Sequence, residues 1–129
     1  MKTSKPDILV VGGAGYIGSH VTKALRDSGR RPLVFDNLST GLRENLLEGI
    51  PFIHGDLLIP VQIQAAMQGV DKVIHLAALK AAGKSMQEPE RYALHNLNGT
   101  VHLLNSACAA GVRHFVFSSS AAVYGEPRY

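Results

Sequence analysis

Cysteine, aromatic residues and long apolar runs are all scarce in this 129-residue chain. The one cysteine, Cys108, can form no disulfide within the chain, and its apolar helical surroundings predict a buried side chain in a reducing cytoplasm. Aromatic residues make up 6% of the sequence and the basic residues are scattered, which excludes a nucleic-acid-binding class. No stretch approaches the ~20 apolar residues that cross a bilayer, and residues 1–6 contain no signal-peptide core. We therefore expect a cytoplasmic protein with neither a nucleic-acid nor a membrane partner.

The composition is that of one ordinary globular domain spanning residues 1–129. Hydrophobic residues make up 46% of the chain and charged residues 18%, which is enough apolar material for a substantial core. The net charge is 13 − 10 = +3. The six histidines show no metal-ligand spacing, so no metal site is expected.

Strand and helix signals alternate along the whole chain. Apolar runs predict five strands: Asp7–Gly12, Pro32–Asp36, Phe52–His54, Lys72–Ala77 and Val112–Ser118. Helices are predicted over Tyr16–Ser28, from Pro60 to about Gln68 and over Pro89–Ala110, with a short helix or turn at Leu42–Glu48 and an irregular loop at Lys80–Glu88. This alternation predicts an α/β fold of the Rossmann type, a doubly wound parallel sheet with strand order 3-2-1-4-5.

A glycine-rich turn after the first strand carries the strongest functional signal. Gly12 permits a sharp turn, Gly15 lets backbone N–H groups approach a pyrophosphate, and Gly18 lets the next helix pack closely. The N-terminus of that helix directs unpaired N–H groups and a positive dipole end at the phosphates. Asp36 ends the second strand, where a carboxylate accepts from ribose hydroxyls and repels a 2′-phosphate. Together these residues predict a dinucleotide site that prefers NAD to NADP.

Ligands of doubly wound sheets lie beyond the carboxyl ends of the strands. The predicted topology brings five sequence-distant segments to that edge: Gly12–Gly18, Asp36, Asp56, Leu76–Ala78 and Ser118–Ser120. Their convergence favours a binding site over a set of unrelated loop residues.

Six motifs occur in order and nearly unbroken along the chain: GGAGYIGSH (12–20), DNLS (36–39), GDL (55–57), HLAALKAAGKS (75–85), NxxGT (96–100) and FSSSAAVYG (117–125). In this the chain resembles the UDP-glucose 4-epimerase branch of the extended short-chain dehydrogenase/reductase family. The resemblance implies that NAD is the cofactor and that a nucleotide sugar is epimerised through a 4-keto intermediate.

The resemblance also implies a role for each of fifteen residues. It places five around the pyrophosphate (Gly12, Gly15, Tyr16, Ile17, Gly18), two at the adenosine ribose (Asp36, Asn37) and two beside the adenine (Asp56, Leu57). Under the nicotinamide half it places Leu76, Ala77 and Ala78, and Lys80 is implied to reach the nicotinamide ribose or the phosphates. Asn96 is implied to be a structural or cofactor-contacting residue and Ser120 the catalytic serine.

Some of these roles have competing interpretations. Lys80 also fits a solvated loop lysine, and Asn96 also fits ordinary polarity in helix packing. The hydroxyls of Ser118 and Ser119 are expected to satisfy backbone groups where the strand ends.

The sequence departs from the family in four respects. The family's Tyr-x-x-x-Lys motif, whose tyrosine and lysine form the catalytic base, is missing. Tyr124 with Arg128 is no substitute, because arginine does not release its proton. The substrate-binding domain is also expected to be absent, so a nucleotide sugar would bind only if a C-terminal portion were supplied. Leu58-Ile59 replaces a common charged pair, and His95 replaces a polar amide.

Three hypotheses remain open at this stage. The chain is the NAD-binding portion of an epimerase and inactive alone, or a stand-alone NAD-binding or sensing module without chemistry, or another extended short-chain dehydrogenase such as a sugar-nucleotide dehydratase. Because the fifth strand has an exposed edge and the helix Pro89–Ala110 is expected to lack a packing partner, we also expect a homo-oligomer, a dimer through this face.

Overall fold

A five-stranded parallel sheet with strand order β3-β2-β1-β4-β5 forms the centre of the molecule. A computed structural model describes residues 5–128. The strands are β1 (Ile8–Val11), β2 (Pro32–Asp36), β3 (Phe52–His54), β4 (Lys72–His75) and β5 (His114–Phe117). The predicted α/β class, the parallel pairing and the strand order are all confirmed.

Helices connect the strands. They are α1 (Tyr16–Asp27), α2 (Pro60–Ala66), α3 (Ala82–Gln87), α4 (Pro89–Ala93) and α5 (Gly99–Ala109), with 3₁₀ turns at Arg43–Asn45 and Ala121–Tyr124. The prediction of an irregular loop over Lys80–Glu88 is wrong, because α3 lies within it. Alanine, lysine, methionine and glutamine all favour a helix, and Ser85 Oγ donates to the Ala82 carbonyl within α3 at 2.6 Å.

The predicted helix Pro89–Ala110 is continuous in direction but not uniform. Between α4 and α5 the segment Leu94–Asn98 forms a π-helical turn. Such turns occur mostly as single insertions in α-helices, frequently at functional sites. Hydrophobic periodicity and capping residues do not distinguish a π turn from an α-helical one, so only the structure reveals this feature.

The core lies on both faces of the central strands. Every residue of β1 is buried, as expected for a parallel strand covered on both sides. On one face α2 and α5 pack against each other and contribute the buried side chains Ile63 and Leu103. The expectation that the long helix lacks a packing partner is therefore wrong for its α5 part.

Cys108 is exposed, which corrects the prediction of a buried side chain. In α5 the buried face comprises Leu103, Ser106 and Ala107. Cys108 lies four residues after the exposed Leu104 and so shares its solvent-facing side. A uniformly apolar helix sequence does not reveal which of its faces is covered.

At the carboxyl edge of the sheet, β1, β4 and β5 end at residues that are in register with one another. Val11 is in register with Phe35 and with His75, and His75 with Phe117. The backbone pairing continues one residue further. Gly12 donates to Phe35 at 2.8 Å, Leu76 to Val11 at 2.8 Å and Ser118 to His75 at 3.1 Å. The loops that leave this edge are thus extensions of the sheet.

The opposite end of the sheet is fastened by charged groups. Asp71 accepts from Arg113 Nε at 2.6 Å and Nη2 at 3.0 Å, and from Lys72 Nζ at 2.6 Å. Hydrogen bonds from Arg113 and then Lys72 hold the pKa of the Asp71 carboxyl far below its usual range. This cluster ties β4 to β5 at their amino ends, away from the candidate site.

β5 is an edge strand, and Val116 and Phe117 are each more than half exposed. Within residues 5–128, none of the helices is both long and apolar enough to span a bilayer.

Candidate functional site

One cleft, open to solvent, lies across the carboxyl ends of β1, β2, β3 and β4. All fourteen residues predicted to bind the cofactor line it: Gly12, Gly15, Tyr16, Ile17, Gly18, Asp36, Asn37, Asp56, Leu57, Leu76, Ala77, Ala78, Lys80 and Asn96. Eight further lining residues were not predicted: Val11, Phe35, Ser39, Thr40, Gly41, Gly55, Leu79 and His95. Most of these eight adjoin a predicted residue, and proximity to a strand end is the signal that could have found them.

The glycine turn has the geometry that its spacing predicts. Gly12 has φ +85°, and a Cβ there would lie 2.7 Å from the backbone nitrogen of Ala77. A Cβ on Gly18 would overlap the carbonyl oxygen of Gly12. These two glycines allow close packing inside the protein, between the turn, its own helix and the end of β4.

Gly15 is different, because the Cα hydrogen that a side chain would replace points into unoccupied space and not against the protein. A Cβ built there would meet only the Gly12 oxygen, at an ordinary 3.4 Å. Gly15 is also the N-cap of α1, and neither a capping side chain nor an acidic residue occupies the first turn. The first N–H groups of α1 have no partner within the helix. The open cradle and these donors together form a site suited to a phosphate.

Asp36 is held rigidly at the end of β2. Its Oδ2 accepts from the Ala14 N–H at 3.0 Å, and its Oδ1 accepts from the Leu38 N–H at 2.8 Å. Leu38 adopts φ 58°, a left-handed conformation that leucine rarely adopts. Each carboxylate oxygen has a second lone pair, so Asp36 can still accept from a ligand while the backbone fixes its orientation.

A brace behind the glycine turn also emerges only from the structure. The Ala14 carbonyl accepts from Asn45 Nδ2 at 2.8 Å and from the Leu42 N–H at 3.1 Å. A Cβ on Gly41 would contact Ala14 at 2.9 Å. The segment after β2 therefore packs directly on the glycine turn and fixes its peptide groups.

Asp56 and Leu57 form the wall beyond β3. Asp56 receives the Leu58 N–H on Oδ1 at 2.8 Å and donates its own N–H to Gln62 Oε1 at 2.8 Å. The Leu57 carbonyl is 2.9 Å from His102 Nδ1 of α5. The replacement of a charged pair by Leu58-Ile59 leaves this turn intact, because both residues contribute through their backbone: the Leu58 N–H donates to Asp56 Oδ1 and the Ile59 N–H to the Asp56 carbonyl at 3.0 Å.

Asn96 fixes the wall beyond β4. Its Oδ1 accepts from the Leu79 N–H at 2.8 Å, and its Nδ2 donates to the Leu79 carbonyl at 2.9 Å. The amide thus pairs with one residue's backbone on both sides, as a neighbouring strand would. This geometry favours the structural interpretation of Asn96, although the residue also lines the cleft.

Two ionisable side chains reach the same end of the cleft. Lys80 is exposed and His95 is half-buried. The exposure of Lys80 agrees with a solvated loop lysine, and its position on the cleft agrees with a positive group beside an anion.

Ser120 lies apart from the cleft-lining residues. It is the N-cap of the 3₁₀ turn Ala121–Tyr124, and its Oγ accepts from the Ala122 N–H at 3.1 Å. This is the backbone-satisfying role expected of Ser118 and Ser119. Its exposed hydroxyl retains a hydrogen to donate.

Among residues 5–128 there is no group of three or more histidine, cysteine, aspartate or glutamate side chains placed to hold a metal ion. The most perturbed histidine is His75, whose pKa burial lowers to about 4. It lies directly before the Leu76–Ala78 wall.

Comparison with known proteins gives a consistent result. Residues 8–129 match the NAD dependent epimerase/dehydratase family. The chain is 40% identical over 131 residues to a UDP-glucose 4-epimerase of Yersinia enterocolitica and 43% identical over 122 residues to one of Streptomyces lividans. These alignments cover 95% and 92% of this chain but 39% and 37% of the relatives.

Solved structures give the same picture. The UDP-glucose 4-epimerase of Thermotoga maritima with UDP-glucose superposes with a TM-score of 0.88 at 37% identity, covering 95% of this chain and 41% of that one. The Thermus thermophilus enzyme in complex with NAD gives 0.86 at 37% identity, covering 88% and 37%. The chain thus spans about two-fifths of the length of the proteins that it matches.

Proposed function

Because the chain belongs to the NAD dependent epimerase/dehydratase family, we propose that residues 1–129 form the NAD-binding part of a UDP-glucose 4-epimerase-like enzyme. The observation that carries this proposal is that one cleft is lined by all fourteen predicted binding residues. The NAD complex of the Thermus thermophilus relative supports the choice of cofactor.

The residues of the cleft fit a dinucleotide in shape and in charge. The space beside Gly15 and the unpaired N–H groups of α1 suit a pyrophosphate. Asp36, to one side, suits a ribose with free 2′- and 3′-hydroxyls and disfavours a 2′-phosphate. Asp56 and Leu57 would then flank the adenine, with a carboxylate near its amino group and an apolar side chain on its face.

The nicotinamide half would lie on the other side of the pyrophosphate. With adenosine at β2 and phosphates over β1, the strand order leaves β4 and the segment Leu76–Lys80 for the second nucleoside. The small side chains of Ala77 and Ala78 allow close approach, and Lys80 supplies positive charge near the anion. A bound nicotinamide supplies a reversible hydride acceptor.

For chemistry on a sugar, this chain offers Ser120. Its hydroxyl can donate to a sugar oxygen beyond the end of β5. The 129 residues contain no Tyr-x-x-x-Lys pair, so we propose that this polypeptide by itself binds NAD but does not epimerise a nucleotide sugar. A nucleotide sugar would then bind only when further residues complete the site.

Binding and turnover test the proposal together. The 129-residue chain is titrated with NADH while nicotinamide fluorescence is followed, and separately incubated with NAD and UDP-glucose while UDP-galactose is assayed. We expect saturable NADH binding without product. Absence of binding at millimolar NADH would refute the cofactor assignment, whereas appearance of UDP-galactose would refute the proposed inactivity.

Self-association and a cytoplasmic location belong to the same proposal. The exposed Val116 and Phe117 of the edge strand support association of two copies through this face. The lone cysteine supports a reducing compartment, because it can form no disulfide within the chain.

A further inference from the structure

His75 and Thr100 belong to a part-buried series of hydrogen bonds just outside the cleft. His75 is 2% exposed, and its Nε2 lies 2.9 Å from Thr100 Oγ1. Thr100 Oγ1 in turn donates to the Asn96 carbonyl at 2.6 Å. Asn96 then holds Leu79 through the two amide hydrogen bonds described above. The chain therefore runs from the end of β4, across α5, to the loop that leaves β4.

The donor-to-acceptor direction of these hydrogen bonds fixes the tautomer of the His75 imidazole. Thr100 has one hydroxyl hydrogen, and the Asn96 carbonyl receives it, so Thr100 can only accept from His75. Nε2 of His75 must therefore carry the proton and Nδ1 must be bare. Nδ1 is buried without a hydrogen-bond partner, and the rings of Phe115 and Phe117 lie beside the imidazole.

His75 is also the backbone junction of the site. Its carbonyl receives the Ser118 N–H, and the next residue, Leu76, donates to Val11 immediately before the glycine turn. One residue thus contacts, through its main chain or its side chain, the segments that lead to Ser120 and Asn96. A neutral, single-tautomer imidazole keeps this junction in one geometry.

We infer that His75 and Thr100 are positioning residues of the nicotinamide end of the cleft, acting through the Asn96 amide on the backbone of Leu79. This inference rests on the proposed function for the identity of the ligand, but not for the hydrogen-bond chain itself. The π-helical turn at Leu94–Asn98 contributes by presenting both Asn96 and His95 to the cleft.

The first test needs no ligand. In the 129-residue chain, amide exchange of Leu79 is measured by NMR in wild type, Thr100→Val and Thr100→Ser. We expect Thr100→Val to speed exchange at Leu79 about tenfold, the size of one lost hydrogen bond, and Thr100→Ser to restore it. Unchanged exchange in Thr100→Val would overturn the inference.

A matched control comes from α1. Thr22 is buried and, like Thr100, donates to the carbonyl four residues earlier, here that of Gly18, at 2.7 Å. Thr22→Val should lower stability comparably but leave Leu79 exchange, relative to global unfolding, as in wild type. An equal effect of the two substitutions at Leu79 would contradict a specific role for Thr100. Should Thr100→Val fail to fold, His75→Leu breaks the same chain and His75→Gln retains a donor for Thr100.

The second test separates the two ends of the ligand. NADH and ADP-ribose share the adenosine and pyrophosphate, but only NADH carries the nicotinamide. We expect Thr100→Val to weaken NADH about fivefold and to leave ADP-ribose within about twofold. Equal weakening of both ligands would overturn the inference. Failure of wild type to bind either would overturn the proposed function, while the exchange measurement would still decide the positioning role.

Discussion

The Asp36 carboxylate and the Ala14 N–H are joined by a 3.0 Å hydrogen bond between the end of β2 and the middle of the glycine turn. The carboxylate proposed to bind the ribose is therefore hydrogen-bonded directly to the glycine turn proposed to bind the phosphates. A substitution of Asp36 therefore also removes the acceptor of the Ala14 N–H, which determines how variants of Asp36 should be interpreted.

Replacement of Asp36 tests the preference for NAD. We expect Asp36→Arg to weaken the binding of NAD at least tenfold, because the acceptor for the ribose hydroxyls is lost. The difference in affinity between NAD and NADP should also become smaller, because the repulsion of a 2′-phosphate is removed. Calorimetric titration with both dinucleotides measures this. Unchanged NAD affinity would count against the ribose assignment.

Such a variant should also be less stable than the sequence alone suggests, since the Ala14 and Leu38 N–H groups lose their acceptor. Asp36→Asn is the control, because its amide oxygen retains one acceptor. We expect its melting temperature to lie between those of wild type and Asp36→Arg.

Filling the cradle at Gly15 tests the phosphate site without straining the fold. Gly15 has φ −77°, which valine tolerates, and its Cβ would enter open space. We expect Gly15→Val to weaken NADH by at least about tenfold at an unchanged melting temperature. Gly83→Val is the control, since Gly83 lies in α3 and a Cβ there would have no neighbour within 4 Å. Equal affinity in the two variants would refute the assignment of the cradle.

Burial of neutral His75 predicts a specific pH dependence of stability. Its pKa is about 4 in the folded chain, against an ordinary value of 6.5 that applies when the chain unfolds. As the pH falls below 6.5, the histidine is protonated in the unfolded chain but stays neutral in the folded one. The free energy of unfolding is therefore highest above pH 6.5 and falls progressively toward pH 4. We expect a loss of about 2 kcal/mol between pH 7 and pH 5.

Urea unfolding at both pH values measures this loss, and His75→Gln should reduce it. His114→Gln, at an exposed position on β5, is the control for the remaining histidines. If the wild type and His75→Gln lose the same stability, the effect arises elsewhere.

The exposed edge strand predicts self-association. Light scattering of the 129-residue chain over a tenfold concentration range should show a rising dimer fraction. Phe117→Lys places a charge on the half-exposed edge and should shift the equilibrium toward monomer. A wild-type mass that stays monomeric across the range would contradict the proposed dimer.

The sequence allowed the sheet order and the cleft lining to be predicted because both follow from strong, local rules. Apolar runs between glycine and proline residues mark parallel strands, and a dinucleotide site must lie beyond their carboxyl ends. Gly12 and Gly18 could be assigned because the motif predicts a sharp turn at Gly12, which has φ +85°, and close helix packing at Gly18, where a Cβ would overlap the Gly12 carbonyl oxygen.

What the sequence did not reveal depends on contacts between distant segments. The bond from Asn45 to Ala14 joins residues 31 positions apart, and that from His75 to Thr100 spans 25. The exposure of Cys108 depends on which face of α5 is covered by α2. The helix at Ala82–Gln87 was missed because its polar sequence lacks an apolar stripe, the signal by which surface helices are recognised.

The continuation of the backbone ladder past β1, β4 and β5 has a consequence for ligand capture. Gly12, Leu76 and Ser118 are already immobilised by folding, so their loops lose little conformational entropy when a ligand arrives. Recognition at this edge should therefore be rapid and close to rigid-body. Near-identical exchange rates for these three amides, with and without dinucleotide, would be its signature.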